Sequence, residues 1–232
     1  MILAAALTLF LNATVAPAKA AQLVPMTVTV SVINRSRNPV TLEFPSPDLF
    51  FVQVRDAKGT PVFDSRTGHK PIPVHRKMVF VVGRTKVESF DWSGLNDARN
   101  VVDPGQYVVH VEMAGVTQTL TADVPVTIDA PQTIDSVLHA TTPAQATIAG
   151  TPEREGGTTY LRDASERIAL SLPLGIRPQG TFVARGVMQT ILNQKIFTVS
   201  RYSPAAENDA PEGTPTPRPL PSLAPSSLPR SR

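Results

Sequence analysis

The sequence predicts an all-β chain built as an antiparallel sandwich, then a small barrel, then a proline-rich tail. Three observations carry that reading. Short runs of β-branched and apolar residues alternate with polar ones, the period of a half-buried strand. The runs recur about every 8–12 residues and are separated by Gly, Pro, Asn and Asp clusters, as in sandwiches and barrels. Finally, 23 prolines among 232 residues are about 10% of the chain, twice the usual ~5%. Apolar residues make up 41%, enough for a packed core, and charged residues only 18%, too few for a disordered polyelectrolyte. The absence of cysteine excludes disulfides, thiolate metal sites and a cysteine nucleophile. A net charge of +3 is too slight to imply a nucleic-acid partner.

The first element is an address rather than a strand. Met1 to Val15 (MILAAALTLFLNATV) is an apolar run too short to span a membrane, followed by the small-residue pattern Pro17-Ala-Lys-Ala-Ala21. That combination matches the apolar region and cleavage site of a signal peptide over residues 1–20, although nothing basic precedes Lys19. The expected setting is therefore extracytoplasmic, whether secreted, periplasmic or envelope-associated. No later stretch is long and apolar enough to span a membrane.

The sandwich is expected over 22–128. Met26 to Ile33 (MTVTVSVI) alternates strictly, and the polar cluster Asn34 to Pro39 turns the chain into Val40–Phe44. Phe50–Arg55 follows, with Asp56-Ala-Lys-Gly59 as its turn. Further strands read at Pro61–Asp64, Met78–Val82, Lys86–Trp92, Gln106–Met113 and Thr117–Ile128. Ser93–Arg99 suggests a helical turn, closed by Asp103-Pro-Gly105.

Residues 129–146 read as a linker containing one short apolar turn at Ile134–Leu138. The second unit, 147–202, has strands at Ala146–Gly150, Thr158–Leu161, Ile168–Leu172, Thr181–Val187 and Lys195–Arg201. Five short strands in so few residues cannot make two sheets, so a small closed or partly open barrel is the economical way to remove exposed edges. Residues 203–232 hold eight prolines and no apolar periodicity. That composition favours extended polyproline-type backbone and predicts a disordered end.

Residues 28–113 resemble the intracellular proteinase inhibitor (BsuPI-type) family. The resemblance rests on Val30-Ser-Val-Ile-Asn34, Pro39-Val-Thr-Leu-Glu-Phe-Pro-Ser46, Phe51-Val-Gln-Val-Arg-Asp56 with Gly59, Val62-Phe-Asp-Ser65, Glu88-Ser-Phe-Asp-Trp92 and Pro104-Gly-Gln-Tyr107. It implies an immunoglobulin-like sandwich and an inhibitor-like, protein-binding activity. Residues 147–200 are similar to a small bacterial OB-fold through Thr159-Tyr-Leu-Arg-Asp163, Arg167–Leu172, Gly180–Gly186 and Phe197–Arg201. That similarity implies an OB-like five-stranded barrel.

Patterns for catalysis are sparse. His69, His75, His110 and His139 show no ligand spacing, and neither G-x-S-x-G nor a glycine-rich phosphate loop occurs. No enzyme, metal or cofactor is expected. In the barrel Tyr160, Phe182, Phe197 and Tyr202 accompany Arg162, Arg167, Arg185 and Lys195, a set that could stack and neutralise an oligonucleotide. Phe182 and Phe197 nevertheless sit in core-like strand patterns, and Glu153, Glu155, Asp163 and Glu166 dilute the positive field. No nucleic-acid partner is expected.

The most informative polar stretch is Ser65–Lys77, SRTGHKPIPVHRK, which contains no acid. Arg66, His69, Lys70, His75, Arg76 and Lys77 are its candidate partner-binding residues. Pro71 and Pro73 stiffen it, which lowers the ordering cost of binding. The competing explanation is a connection that is polar because it lies in water. The expected function is an exported, non-enzymatic binding protein whose loop engages a protein, a protease being one such partner. The alternatives are an envelope scaffold or a barrel that binds a small ligand or glycan.

Overall fold

The computed structural model describes residues 9–68, 75–140 and 145–204. Of the expected tail, 203–232, Ser203 and Pro204 instead end a strand; the rest of it, with His69 and Lys70, lies outside the described residues. The architecture is all-β, with an antiparallel sandwich followed by a closed five-stranded barrel.

In chain order the sandwich strands are β1 (Leu9–Ala16), β2 (Lys19–Ala21), β3 (Met26–Asn34), β4 (Val40–Phe44), β5 (Phe51–Asp56), β6 (Pro61–Asp64), β7 (Arg76–Phe80), β8 (Thr85–Trp92), β9 (Gly105–Ala114) and β10 (Thr119–Asp129). One sheet has the order β1-β3-β8 and the other β2-β10-β9-β5-β6, while β4 and β7 pair at one end. β3 alternates buried and half-buried along its whole length. Its inward Met26, Val28 and Val30 meet Val52, Val54, Val109, Val111, Val126 and Ile128 of the facing sheet. Each fully buried side chain of this size contributes about 1.5–3 kcal/mol relative to exposure. Near the start of β9, Tyr107 donates its hydroxyl to the Asp103 carbonyl at 2.6 Å, a corner that recurs in immunoglobulin-like sandwiches. Its ring meets Trp92 edge-on, with centroids 6.0 Å apart. Burial, then the nearby Asp103 and Asp56 carboxylates, push the phenol up to about 12.

In the full-length chain the described part of the opening segment is strand. Leu9–Ala16 pairs antiparallel with β3 over eight residues, and Lys19–Ala21 crosses to the other sheet to pair parallel with β10. Leu9 and Val15 are buried, whereas Phe10, Asn12 and Thr14 face outward. The run is a strand whose outer face happens to include one phenylalanine, and Arg35 lies over that ring at 5.0 Å. Cutting after residue 20 would remove β1 and bare the backbone edge of β3. Ser93–Arg99 is not a helical turn. Leu95 bridges Val101, and the Asn96 amide donates to the Asn100 carbonyl at 2.8 Å, which makes a tight hairpin-like loop.

The expected linker is partly structural. Helix α1 (Ile134–Leu138) sends Ile134 and Val137 into the barrel core. The barrel strands are β11 (Gln145–Glu155), β12 (Thr158–Arg162), β13 (Arg167–Ser171), β14 (Phe182–Ile191) and β15 (Gln194–Pro204). They close in the order β11-β12-β13-β15-β14, with β13 and β15 parallel. Closure needs two glycines. A Cβ on Gly150 would lie 2.3 Å from the Arg162 carbonyl oxygen, and one on Gly186, beside a bulge in β14, 2.1 Å from that of Thr198. Phe182 and Phe197 are sealed in this core.

The sandwich and the barrel share a small interface. Leu23, Val101 and Val183 form one buried cluster. Around it the Thr147 hydroxyl donates to the Gln22 carbonyl at 3.0 Å, the Gln22 side-chain amide donates to the Val102 carbonyl at 2.6 Å, and the Ser203 hydroxyl donates to the Arg99 carbonyl at 2.8 Å.

Candidate functional site

Among the described residues of the basic stretch, Arg66 and Lys77 are ion-paired. Arg66 makes a fork to Asp64, with Nε to Oδ1 at 3.0 Å and Nη2 to Oδ2 at 2.9 Å. It also lies 3.9 Å from Glu112 and sits over the Phe51 ring at 5.3 Å. The Arg66 hydrogen bonds hold the Asp64 carboxyl below its ordinary range, and Asp64 in turn raises the guanidinium. Arg76 and Lys77 belong to β7 rather than to the loop. Arg76 donates to the Pro47 carbonyl at 2.9 Å. Lys77 is the register partner of Glu43 and pairs with it at 2.8 Å, which lowers that carboxyl and raises the amine. His75 is exposed. The stretch contains no acid of its own, but β4 and β6 supply counter-charges to Lys77 and Arg66. Only strand register reveals this, because Glu43 and Lys77 are 34 positions apart.

The start of the same loop instead walls a cleft. β6 and β8 are edge strands of opposite sheets, and where they part the sandwich opens into a hollow of about 670 Å³. That size falls within the range of ligand sites. Its walls carry Phe50, Phe51, Phe63, Phe90 and Trp92, with Asp48, Asp64, Asp91 and Asp97 at the rim. The rings of Phe63 and Phe90 are 5.7 Å apart and tilted at 41°. Trp92, the chain's only tryptophan, is 2% exposed and donates its indole N–H to the Leu95 carbonyl at 2.8 Å.

The rim is built rather than loose. Asp97 accepts from the Asp64 amide at 3.0 Å and from the Thr67 hydroxyl at 2.9 Å, tying the loop after β6 to the loop after β8. The Ser65 hydroxyl accepts from the Val52 amide at 3.0 Å, and Asp91 accepts from Thr27 at 2.7 Å. Four carboxylates face a single lining cation, Arg99. Flat aromatic walls with an anionic rim suit an extended, cation-bearing chain, because rings give stacking area and carboxylates charge-assisted hydrogen bonds. Such a cleft is hard to see in sequence. Its signal is the aromatic–acid doublets Phe63-Asp64 and Phe90-Asp91-Trp92 on two edge strands, and only the sheet order brings them together.

Other features are smaller. His110 pairs with Asp123 at 2.6 Å across β9 and β10. A hollow of about 260 Å³ on the barrel is lined by Pro152, Glu153, Arg154, Thr159 and residues 176–179, with no aromatic ring. Among the described residues no group of three or more His, Asp or Glu could hold a metal ion, and no helix is long and apolar enough to cross a membrane.

No family model matches the sequence, and no curated protein does. Among solved structures the chain is similar to a β-glucosidase from Erythrobacter marinus, at 15% identity over 52% of this chain and 15% of that one, with a TM-score of 0.33. It is similar also to an alkylpurine DNA glycosylase from Pseudomonas fluorescens bound to DNA containing an abasic site analog, at 13% identity over 53% and 31% of the two chains, TM-score 0.35. A third is the C-terminal domain of wzt, at 10% identity over 55% and 75%, TM-score 0.32. The chain thus covers 15% of the length of the first of these, and likenesses this distant carry no assignment of activity.

Proposed function

We propose that the chain is a non-enzymatic binding protein that recognises an extended segment of a partner protein at the open edge of its sandwich. The aromatic cleft between β6 and β8, with a rim held in place by Asp97, is the observation that carries the reading. A preformed site of this kind avoids much of the ordering cost of binding. The inhibitor-like resemblance of residues 28–113 supports a protease as the partner. On that reading the loop after β6 and the cleft it borders would meet the protease together. Arg66 would have to leave its Asp64 fork to enter a protease pocket, so the cleft wall rather than a free arginine is the principal contact. An extracytoplasmic setting belongs to the proposal through the apolar run and small-residue pattern of residues 1–21.

The test is inhibition and cleavage by a serine, a cysteine and a metalloprotease, each incubated with the full-length chain. Stoichiometric inhibition with the chain left intact is expected, with the inhibition constant raised at least tenfold in Arg66→Ala, which removes the brace of that wall. Degradation without inhibition, or an inhibition constant that Arg66→Ala leaves unchanged, would sink the inhibitor reading.

A further inference from the structure

We propose that the cleft is occupied in cis by the chain's own segment Thr214–Pro221, so that the tail competes with partners for the site. The inference rests on the cleft being a recognition site, and three observations select this occupant.

The first is chemistry. The segment reads TPTPRPLP, and proline fixes φ near −65°, biasing the backbone to a left-handed, three-residue-per-turn form without internal hydrogen bonds. Such segments dock in aromatic-lined grooves at low entropy cost. Phe50, Phe51, Phe63 and Phe90 provide such a lining.

The second is charge. The rim carries Asp48, Asp91 and Asp97 besides Asp64, which Arg66 already pairs, against the one lining cation Arg99, and the Asp48 carboxylate has no hydrogen-bond or ion-pair partner among the described residues. Beyond Gly213 the chain carries Arg218, Arg230 and Arg232 and no acid, while Glu207, Asp209 and Glu212 all fall in the stretch before it. Arg218, flanked by prolines, brings its guanidinium to the acidic rim while the neighbouring rings meet the walls.

The third is reach. Described structure ends at Pro204, whose carbonyl accepts from the Val101 amide at 3.3 Å, next to the Ser203–Arg99 hydrogen bond. Arg99 is itself a lining residue, so the chain leaves the barrel beside the rim. The residues from 205 to 213 span up to about 30 Å when extended, ample to cross it.

Because the chain has no cysteine, Ser222→Cys in the full-length protein takes a single nitroxide label. Paramagnetic broadening should remove at least half the intensity of the Thr67 and Asp97 amide resonances and leave that of Ser165, on the barrel, unchanged. Arg218→Glu should restore them. A free peptide of sequence 214–221 should shift the same cleft resonances in the unlabelled chain and bind about tenfold more tightly when that chain carries Arg218→Glu, since a tethered competitor acts at millimolar effective concentration. Unbroadened cleft amides, or broadening indifferent to Arg218→Glu, would overturn docking in cis. If the free peptide still shifts the cleft resonances, the recognition site stands without its tail occupant; if it does not, the tail proposal falls and the recognition reading is judged by the protease assay alone.

Discussion

The hydroxyl of Thr147 donates to the backbone carbonyl of Gln22 at 3.0 Å, joining two residues 125 positions apart and both buried. This bond sits between sandwich and barrel, beside the apolar contact of Leu23, Val101 and Val183. Leu23 holds a φ of 64° there, a left-handed conformation that a branched side chain adopts at a cost and that burial at the junction offsets.

Thr147→Val keeps the shape and deletes the donor, which leaves the Gln22 carbonyl buried without it. The variant should be destabilised by about 1–2 kcal/mol in denaturant unfolding, and the sandwich and barrel transitions should separate. A single transition at the wild-type midpoint would show that the junction does not couple the two units.

Beginning the chain at Ala21 removes β1. The loss includes the full burial of Leu9 and that of Val15, so the shortened protein should be less stable by more than about 3 kcal/mol. It should also self-associate through the bared edge of β3. Thermal unfolding and light scattering of the two forms decide the matter, and equal stability would support the reading of residues 1–20 as a removable address.

Gly186→Ala tests barrel closure. Its Cβ would sit 2.1 Å from the Thr198 carbonyl oxygen and 2.9 Å from the Phe197 ring, with backbone rather than a flexible side chain in the way. We expect a loss above about 2 kcal/mol, read as a lowered midpoint of the barrel transition. A midpoint within a degree of wild type would mean that the β14 bulge absorbs the methyl group.

Asp163 makes the acid limb of stability local to the barrel. Burial pushes its carboxyl up, but the amides of Ile134, Glu166 and Ser165 and the Ser165 hydroxyl together outweigh that and hold it at about 2. The Ile134 amide donates at 2.7 Å, so this carboxylate fastens α1 to the turn between β12 and β13. A depressed carboxyl stabilises the fold above its unfolded value of about 3.9 and loses that contribution as pH falls towards 2. Asp163→Asn should therefore lower the melting temperature at pH 6, and the gap to wild type should close between pH 4 and pH 2. A gap of constant size across that range would show that the charge is not what holds the helix.

Most strands were legible in the sequence because their cause is local. MTVTVSVI at 26–33 alternates whatever its neighbours do, and 40–44, 61–64, 158–161 and 168–172 followed the same logic. Leu9–Ala16 reads in sequence as a continuous apolar run, which suits both a leader and an edge strand; in the folded chain it pairs with β3. The Asn12 and Thr14 alternation was the local trace of that outcome.

The all-β class, the two units and the positions of nearly every turn follow from residue periodicity and turn chemistry, which act over a few residues. The ion pairs at Arg66 and Lys77 and the cleft do not. Arg66 and Lys77 read as free positive charges until register brings Glu43 opposite Lys77 and the chain folds Arg66 back on Asp64. Likewise Phe63 and Phe90 become one aromatic wall only because β6 and β8 end as edges of facing sheets. Periodicity determines which face a side chain takes; long-range pairing decides what it meets there.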